Sequence, residues 1–139
     1  MLVLDANILI RAVLGRRVIS LLVRYGTTVQ FFAPESAFEE AQEHLPSILA
    51  KRNIPLAESL TVLNSLSRIV QPMSAEAYAA FEPIARQRLA GRDEEEWPVL
   101  AAALALNCPI WTEDFDFFGA GIATWTTDRV ELCLQQQRV

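Results

Sequence analysis

The 139-residue sequence has one histidine, two cysteines and a single lysine. Its longest uninterrupted apolar run, Val99 to Leu106, is far shorter than the roughly 20 residues a membrane-spanning helix needs. The first residues lack a basic segment leading into an apolar stretch and a cleavage site, so no secretory leader is expected. Cys108 and Cys133 stand far apart without a CxxC pair, and His44 alone cannot complete a zinc knuckle. Two isolated thiols suit a reducing cytoplasm and read as small core residues. Scarce histidine also leaves little room for a histidine-based mechanism, and His44 itself gives no functional signal. Positive charge is short as well: 17 acids against 12 bases give −5, so the chain does not advertise nucleic-acid binding through its overall balance. Net charge is only a sum, and the positions of the acids say more.

What the sequence does have is apolar mass. With 52% hydrophobic and 21% charged residues, residues 1–139 can bury one substantial core, which argues against disorder. A short apolar strand is expected over residues 2–5, then a helix from Asn7 to Leu14 closed by Gly15 and a second from Val18 to Tyr25 closed by Gly26. Val29 to Ala33 is β-branched and aromatic, hence a strand. Pro34 opens a helix to about Ala50 that Pro46 should bend or break. Leu56–Ser67 reads as an amphipathic helix and Arg68–Gln71 as a strand. Ser74 can cap a helix that carries Tyr78, Phe81 and Ile84 to Gly91, kinked at Pro83. An acidic stretch, 92–96, leads into an alanine-rich helix to about Asn107. Strands are expected at Ile110–Thr112 and Ile122–Trp125, and a closing helix at Asp128–Gln135. Short apolar strands alternating with helices imply an α/β fold around a mostly parallel sheet, with no linker, repeat or low-complexity tract.

On that map the acids fall at informative places. Asp5 ends the first strand, and Asp114 and Asp116 follow the strand at 110–112. Ligands of open α/β sheets bind outside the carboxyl ends of the strands, so both groups point to one crevice. Glu39 and Glu40 lie on the helix after the second strand, and Asp93 to Glu96 precede the alanine-rich helix. Carboxylates held together repel and raise one another's pKa, which a hard divalent cation relieves. Mg²⁺ or Mn²⁺ there can polarise a phosphoryl oxygen and activate water, the chemistry of phosphodiester hydrolysis without a side-chain nucleophile.

Blander roles compete at most of these positions. Glu35, Glu39, Glu40 and Glu43 can form an exposed helix face, Asp93 to Glu96 can complement a helix dipole, and Asn7 can be an N-cap. Trp97, Trp111 and Trp125 read as core before they read as base-stacking platforms. Arg11, Arg16 and Arg17 are the densest basic cluster; they either steer a phosphate backbone towards the acids or form a solvated helix face.

The opening Val-Leu-Asp-Ala-Asn-Ile-Leu-Ile resembles the first motif of the PIN domain, the nuclease fold of VapC-type toxins. The segment Ala-Leu-Ala-Leu-Asn-Cys-Pro-Ile-Trp-Thr-Glu-Asp-Phe-Asp-Phe, 103–117, is similar to that family's alanine-rich helix, strand and last acidic motif. Glu39-Glu40 sits where the family carries its second acid. The resemblance runs in order along nearly the whole chain and implies a three-layer α/β/α domain. It also implies a Mg²⁺- or Mn²⁺-dependent endoribonuclease with an acidic quartet. The first acid carries over to Asp5. The second falls on Glu39 or Glu40, with Glu40 preferred because Ala41 follows it. The third falls on Glu96 by counting back from the helix, with Asp93 the nearby aspartate, and the two share a face if the helix already begins there. The fourth is Asp114, with Asp116 beside it. Thr112 and Asn7 are implied supporting residues. RNA is the implied substrate; an antitoxin partner and a homodimer are also implied. Two other functions compete. One is a silent PIN-like module for binding or assembly, which the glutamate at the third position keeps open. The other is a receiver-like domain, disfavoured because it wants a lysine late in the chain and the only lysine is Lys51.

Overall fold

Leu2, Val3 and Leu4 are all fully buried, as expected of a strand covered on both faces. They form β1, the middle strand of a five-stranded sheet in the order β3-β2-β1-β4-β5, where each neighbouring pair is parallel. The other strands are β2 (Phe31–Pro34), β3 (Val70–Met73), β4 (Ile110–Trp111) and β5 (Thr124–Trp125). Val3 faces Phe32 on one side and Ile110 on the other in register. The computed structural model describes residues 1–137.

Alternation along β1 sorts the core into two layers. Leu2 and Leu4, with Phe31, Ala33, Val70 and Trp111, face α1 (Ala6–Leu14), α2 (Arg17–Tyr25), α3 (Glu35–Lys51), α4 (Leu56–Leu66) and α8 (Val130–Gln136). Val3 and Ile110 face the opposite layer, built from α5 (Ala75–Tyr78), α6 (Glu82–Arg88) and α7 (Trp97–Leu106). Val99 to Ala103 of α7 are buried all round, and alanine lets this helix sit close to the sheet and to α6. The result is the expected α/β/α sandwich, with the sheet wholly parallel.

Several boundaries differ from the sequence expectation for local reasons. The Val29 N–H bonds back to Tyr25 O at 2.8 Å, closing α2, so Val29 is buried but β2 starts later, at Phe31. Arg68 and Ile69 likewise bond back to Ser65 and Leu66 at 3.1 and 2.9 Å, so β3 begins at Val70 and reaches Met73. β4 stops at Trp111, β5 is confined to Thr124–Trp125, and α8 starts at Val130, where Thr126 O accepts both the Arg129 and Val130 N–H groups. Pro46 does not break α3, which runs unbroken to Lys51; Pro46 is exposed, so the carbonyl its ring displaces is open to water. The helix expected from Ser74 to Gly91 is instead α5, a 3₁₀ turn at Ala79–Phe81 and α6. Pro83 lies in the first turn of α6, where its missing N–H is harmless, and so it begins a helix instead of kinking one. Ser74 occupies the N-cap of α5 without a side-chain hydrogen bond.

Candidate functional site

Asp5 joins β1 to α1. Its Oδ1 accepts the Ile8 N–H at 3.0 Å, so Asp5 rather than Asn7 is the N-cap of this helix. Its Oδ2 accepts a hydrogen bond from the buried Thr112 hydroxyl, whose oxygen in turn accepts the Asp114 N–H at 2.9 Å. Asp5 is only 2% exposed, and burial pushes its carboxyl up to about 6. The hydrogen bonds from Thr112 and Ile8 oppose that rise, and the charges of Asp114 and Glu40 add to it.

Glu96 feels the same neighbourhood from the other layer. Burial pushes its carboxyl up to about 8, helped by the charges of Glu40, Asp5, Asp114 and, least, Asp93. Four carboxylates from four separate stretches of the chain thus act on one another. Asp5, Glu40 and Glu96 line a cleft of about 230 Å³ with Asn7, His44 and Ser47, above Ala6, Ile10 and Ile48. Asp114 does not line it but presses on both Asp5 and Glu96 through its charge.

The ambiguous positions separate clearly. Both glutamates are exposed, but only Glu40 lines the cleft. α7 begins only at Trp97, and Glu94–Glu96 form a 3₁₀ turn, so Asp93 and Glu96 share no α-helical face. Asp93 Oδ1 caps that turn by accepting the Glu95 N–H at 3.1 Å. Asp116 stands aside in the same way: its N–H donates to Asp114 Oδ1 at 2.9 Å and its carbonyl accepts from Arg92 Nη1 at 2.7 Å. Asn7 is exposed at the mouth.

His44 was not expected here. Its Nε2 lies 3.8 Å from Glu40 Oε1, one helical turn further along α3, and it lines the cleft. The i, i+4 spacing from Glu40 is the signal that places it there. Trp111 is fully buried and donates through Nε1 to Thr127 Oγ1 at 3.1 Å. Trp97 and Trp125 are half-buried at the margins of the two layers. Cys108 and Cys133 are buried free thiols.

The cleft gathers oxygen donors and, among the described residues, no lysine or arginine lines it. Apart from His44 beside Glu40, its carboxylates have no basic side chain among the described residues lining the cleft with them, and this oxygen-rich set fits Mg²⁺ or Mn²⁺. Among the described residues no three acidic, histidine or cysteine side chains converge tightly enough to complete a cage for one ion. A cation that keeps several of its waters does not require such a cage.

The PIN domain family model matches residues 3–135. No curated protein sequence matches the chain. A chain in the crystal structure of VapBC2 from Rickettsia felis bound to a DNA fragment from their promoter shares the fold, with a TM-score of 0.69 and 11% identity. That similarity covers 90% of this chain and 97% of the other. No helix among the described residues is long and apolar enough to cross a membrane.

Proposed function

The chain belongs to the PIN domain family, a family of nucleases, and on that premise we propose that it is a Mg²⁺- or Mn²⁺-dependent endoribonuclease. One observation carries the proposal: Asp5, Glu40, Glu96 and Asp114 arrive from four stretches of the chain and crowd one another without a lysine or arginine among the described residues lining their cleft. Asp5, Glu96 and Asp114 would hold the ion, with Glu40 at the mouth. The bound ion supplies charge neutralisation at a phosphoryl oxygen and a water acidic enough to attack near neutral pH.

The side chains have distinct duties. Thr112 holds Asp5 Oδ2 and the Asp114 backbone together, so two acids from opposite ends of the chain keep a fixed relation. Glu40, with its side chain 46% exposed, is a carboxylate open to water and would accept a proton from the attacking water. Attack of the water oxygen on phosphorus would break the bond to the ribose oxygen, with Glu40 taking the water's proton and the departing oxygen protonated in turn from solvent water. Likeness in fold to a VapBC2 chain supports a role as the toxin of a toxin–antitoxin pair, with an antitoxin as partner; a homodimer belongs to the same proposal.

Mn²⁺ titration calorimetry on the wild type and Asp5→Asn, with an RNA cleavage gel on the same samples, tests it. Binding and cleavage in the wild type, both lost in the variant, are expected. No binding by the wild type would sink the metal mechanism. A second function, a module that binds cations without cutting, draws on the lack of a three-ligand cage among the described residues, and cation binding with every RNA left intact would favour it.

A further inference from the structure

A second cleft, of about 420 Å³, lies beside the acidic one and carries the opposite charge. Arg11, Arg16, Arg17 and Arg52 line it, with no carboxylate among its lining residues. Four of eleven arginines thus converge in a chain whose net charge is −5. Arg17 is engaged with Glu131 at 3.4 Å. Arg11, Arg16 and Arg52 have no carboxylate partner among the described residues, whereas Arg86, Arg88 and Arg92 each bond to a protein oxygen.

The two clefts are lined by successive stretches of the same helices. Asn7 and Ile10 of α1 line the acidic cleft, and Arg11 and Leu14 of that helix line the basic one. Along α3, Glu40, His44, Ser47 and Ile48 belong to the first, and Arg52, at the end of that helix, belongs to the second. Thr127 also lines the basic cleft, and its N–H donates to Glu113 Oε1 at 2.7 Å, next to Asp114. From Asn7 to Leu14 the helical rise gives about 11 Å, and Arg16 follows just past the end of the helix.

We propose that this arginine cleft holds the phosphate backbone of the single-stranded RNA whose scissile phosphate enters the acidic cleft. The inference rests on the ribonuclease function proposed above. The acids repel a polyanion, so affinity must come from charge placed nearby but outside the reacting centre. Guanidinium groups with free donors suit phosphate oxygens, which they bind in a bidentate fork. Such contacts position the strand without reading its bases.

The test is fluorescence anisotropy of a labelled single-stranded RNA in EDTA over a salt series, comparing wild type with Arg11→Gln/Arg16→Gln/Arg52→Gln. Arg68→Gln/Arg129→Gln, which removes charge elsewhere, is the control. Each lost phosphate contact flattens the slope of log K against log salt by about 0.7, so a flattening of about 2 is expected in the triple variant. With Mn²⁺ present, KM for RNA should rise and kcat should hold. Unchanged slope and affinity in the triple variant overturn the proposal, as does an equal loss in the control. Loss of binding to a poly-glutamate peptide with RNA binding intact also overturns it and assigns the cleft to an acidic protein segment. Metal-free binding does not depend on cleavage. Arginine-dependent binding without cleavage therefore counts against the nuclease alone, and cleavage with arginine-independent binding counts against the cleft alone.

Discussion

The Thr112 hydroxyl donates to Asp5 Oδ2 while its oxygen accepts the Asp114 N–H, so one buried side chain ties together two acids far apart in sequence. Thr112→Val keeps the shape and removes both bonds. It leaves Asp5 Oδ2 buried without its donor, which costs about 1–3 kcal/mol of stability. The lost hydrogen bond to the charged form should also raise the Asp5 pKa above its present value near 6. Urea denaturation and carboxyl-carbon NMR titration check the two effects.

Crowded acids make the metal-free protein less stable as pH rises. Asp5 and Glu96 have folded-state values of about 6 and about 8, above their ordinary 3.8 and 4.5. The folded state therefore binds more protons than the unfolded chain in between, and stability must fall with pH there. The contribution is complete below about pH 4. It is lost from pH 4 to 6 for Asp5 and from pH 4.5 to 8 for Glu96. Thermal melts in EDTA should show Tm dropping across that window, and saturating Mn²⁺ should flatten the drop because it binds the ionised form. A Tm in EDTA that rises from pH 5 to 8 would contradict the burial of Asp5 and Glu96 and the repulsion that adds to it.

Glu40 and Glu39 are adjacent, yet only Glu40 lines the acidic cleft. Glu40→Gln should weaken Mn²⁺ about tenfold or more and lower the pKa of Glu96, whereas Glu39→Gln should leave both unchanged. Calorimetry and the pH dependence of binding distinguish them.

The loop behind Asp114 depends on glycine. Gly121 has φ +88°, and a Cβ there would sit 2.7 Å from Arg88 Nη1, whose donor otherwise reaches Ala120 O at 3.1 Å. Gly121→Ala should cost about 1–2 kcal/mol from backbone strain alone, measurable by denaturation. Arg92 clamps the preceding turn through Asp116 O and Phe118 O. Arg92→Ala should loosen amide-exchange protection around Phe115–Phe117 without unfolding the sheet.

The mostly parallel sheet was legible because strands covered on both faces read as short apolar runs between helical stretches, whereas the three-layer arrangement came from the resemblance to the PIN family. Strand ends were less legible. Val29 has the composition of a strand, but its N–H closes α2, a choice made by one backbone bond rather than by side-chain preference. Pro46 and Pro83 show that a proline's effect depends on its place. The first lies exposed in an unbroken helix and the second starts a new one. Asp5 and Asp114 were readable as acids ending apolar strands. Counting back from the alanine-rich helix pointed to Glu96, which does line the cleft while Asp93 does not; that residues 94–96 form a 3₁₀ turn, so the two share no α-helical face, was not legible. His44 was read as giving no functional signal and Arg52 was not singled out, because each is unremarkable alone and matters only through the cleft it lines.

The position of β1 has a consequence for synthesis. This first-made strand lies in the middle of the sheet, between β2 and β4, and Asp5 waits for a Thr112 hydroxyl that is translated 107 residues later. A nascent chain on the ribosome therefore carries Asp5 and Glu40 long before it owns a working cleft, because contacts so distant in sequence form late. Under the ribonuclease function proposed above, the chain would thus stay unarmed until Thr112 and Asp114 have emerged.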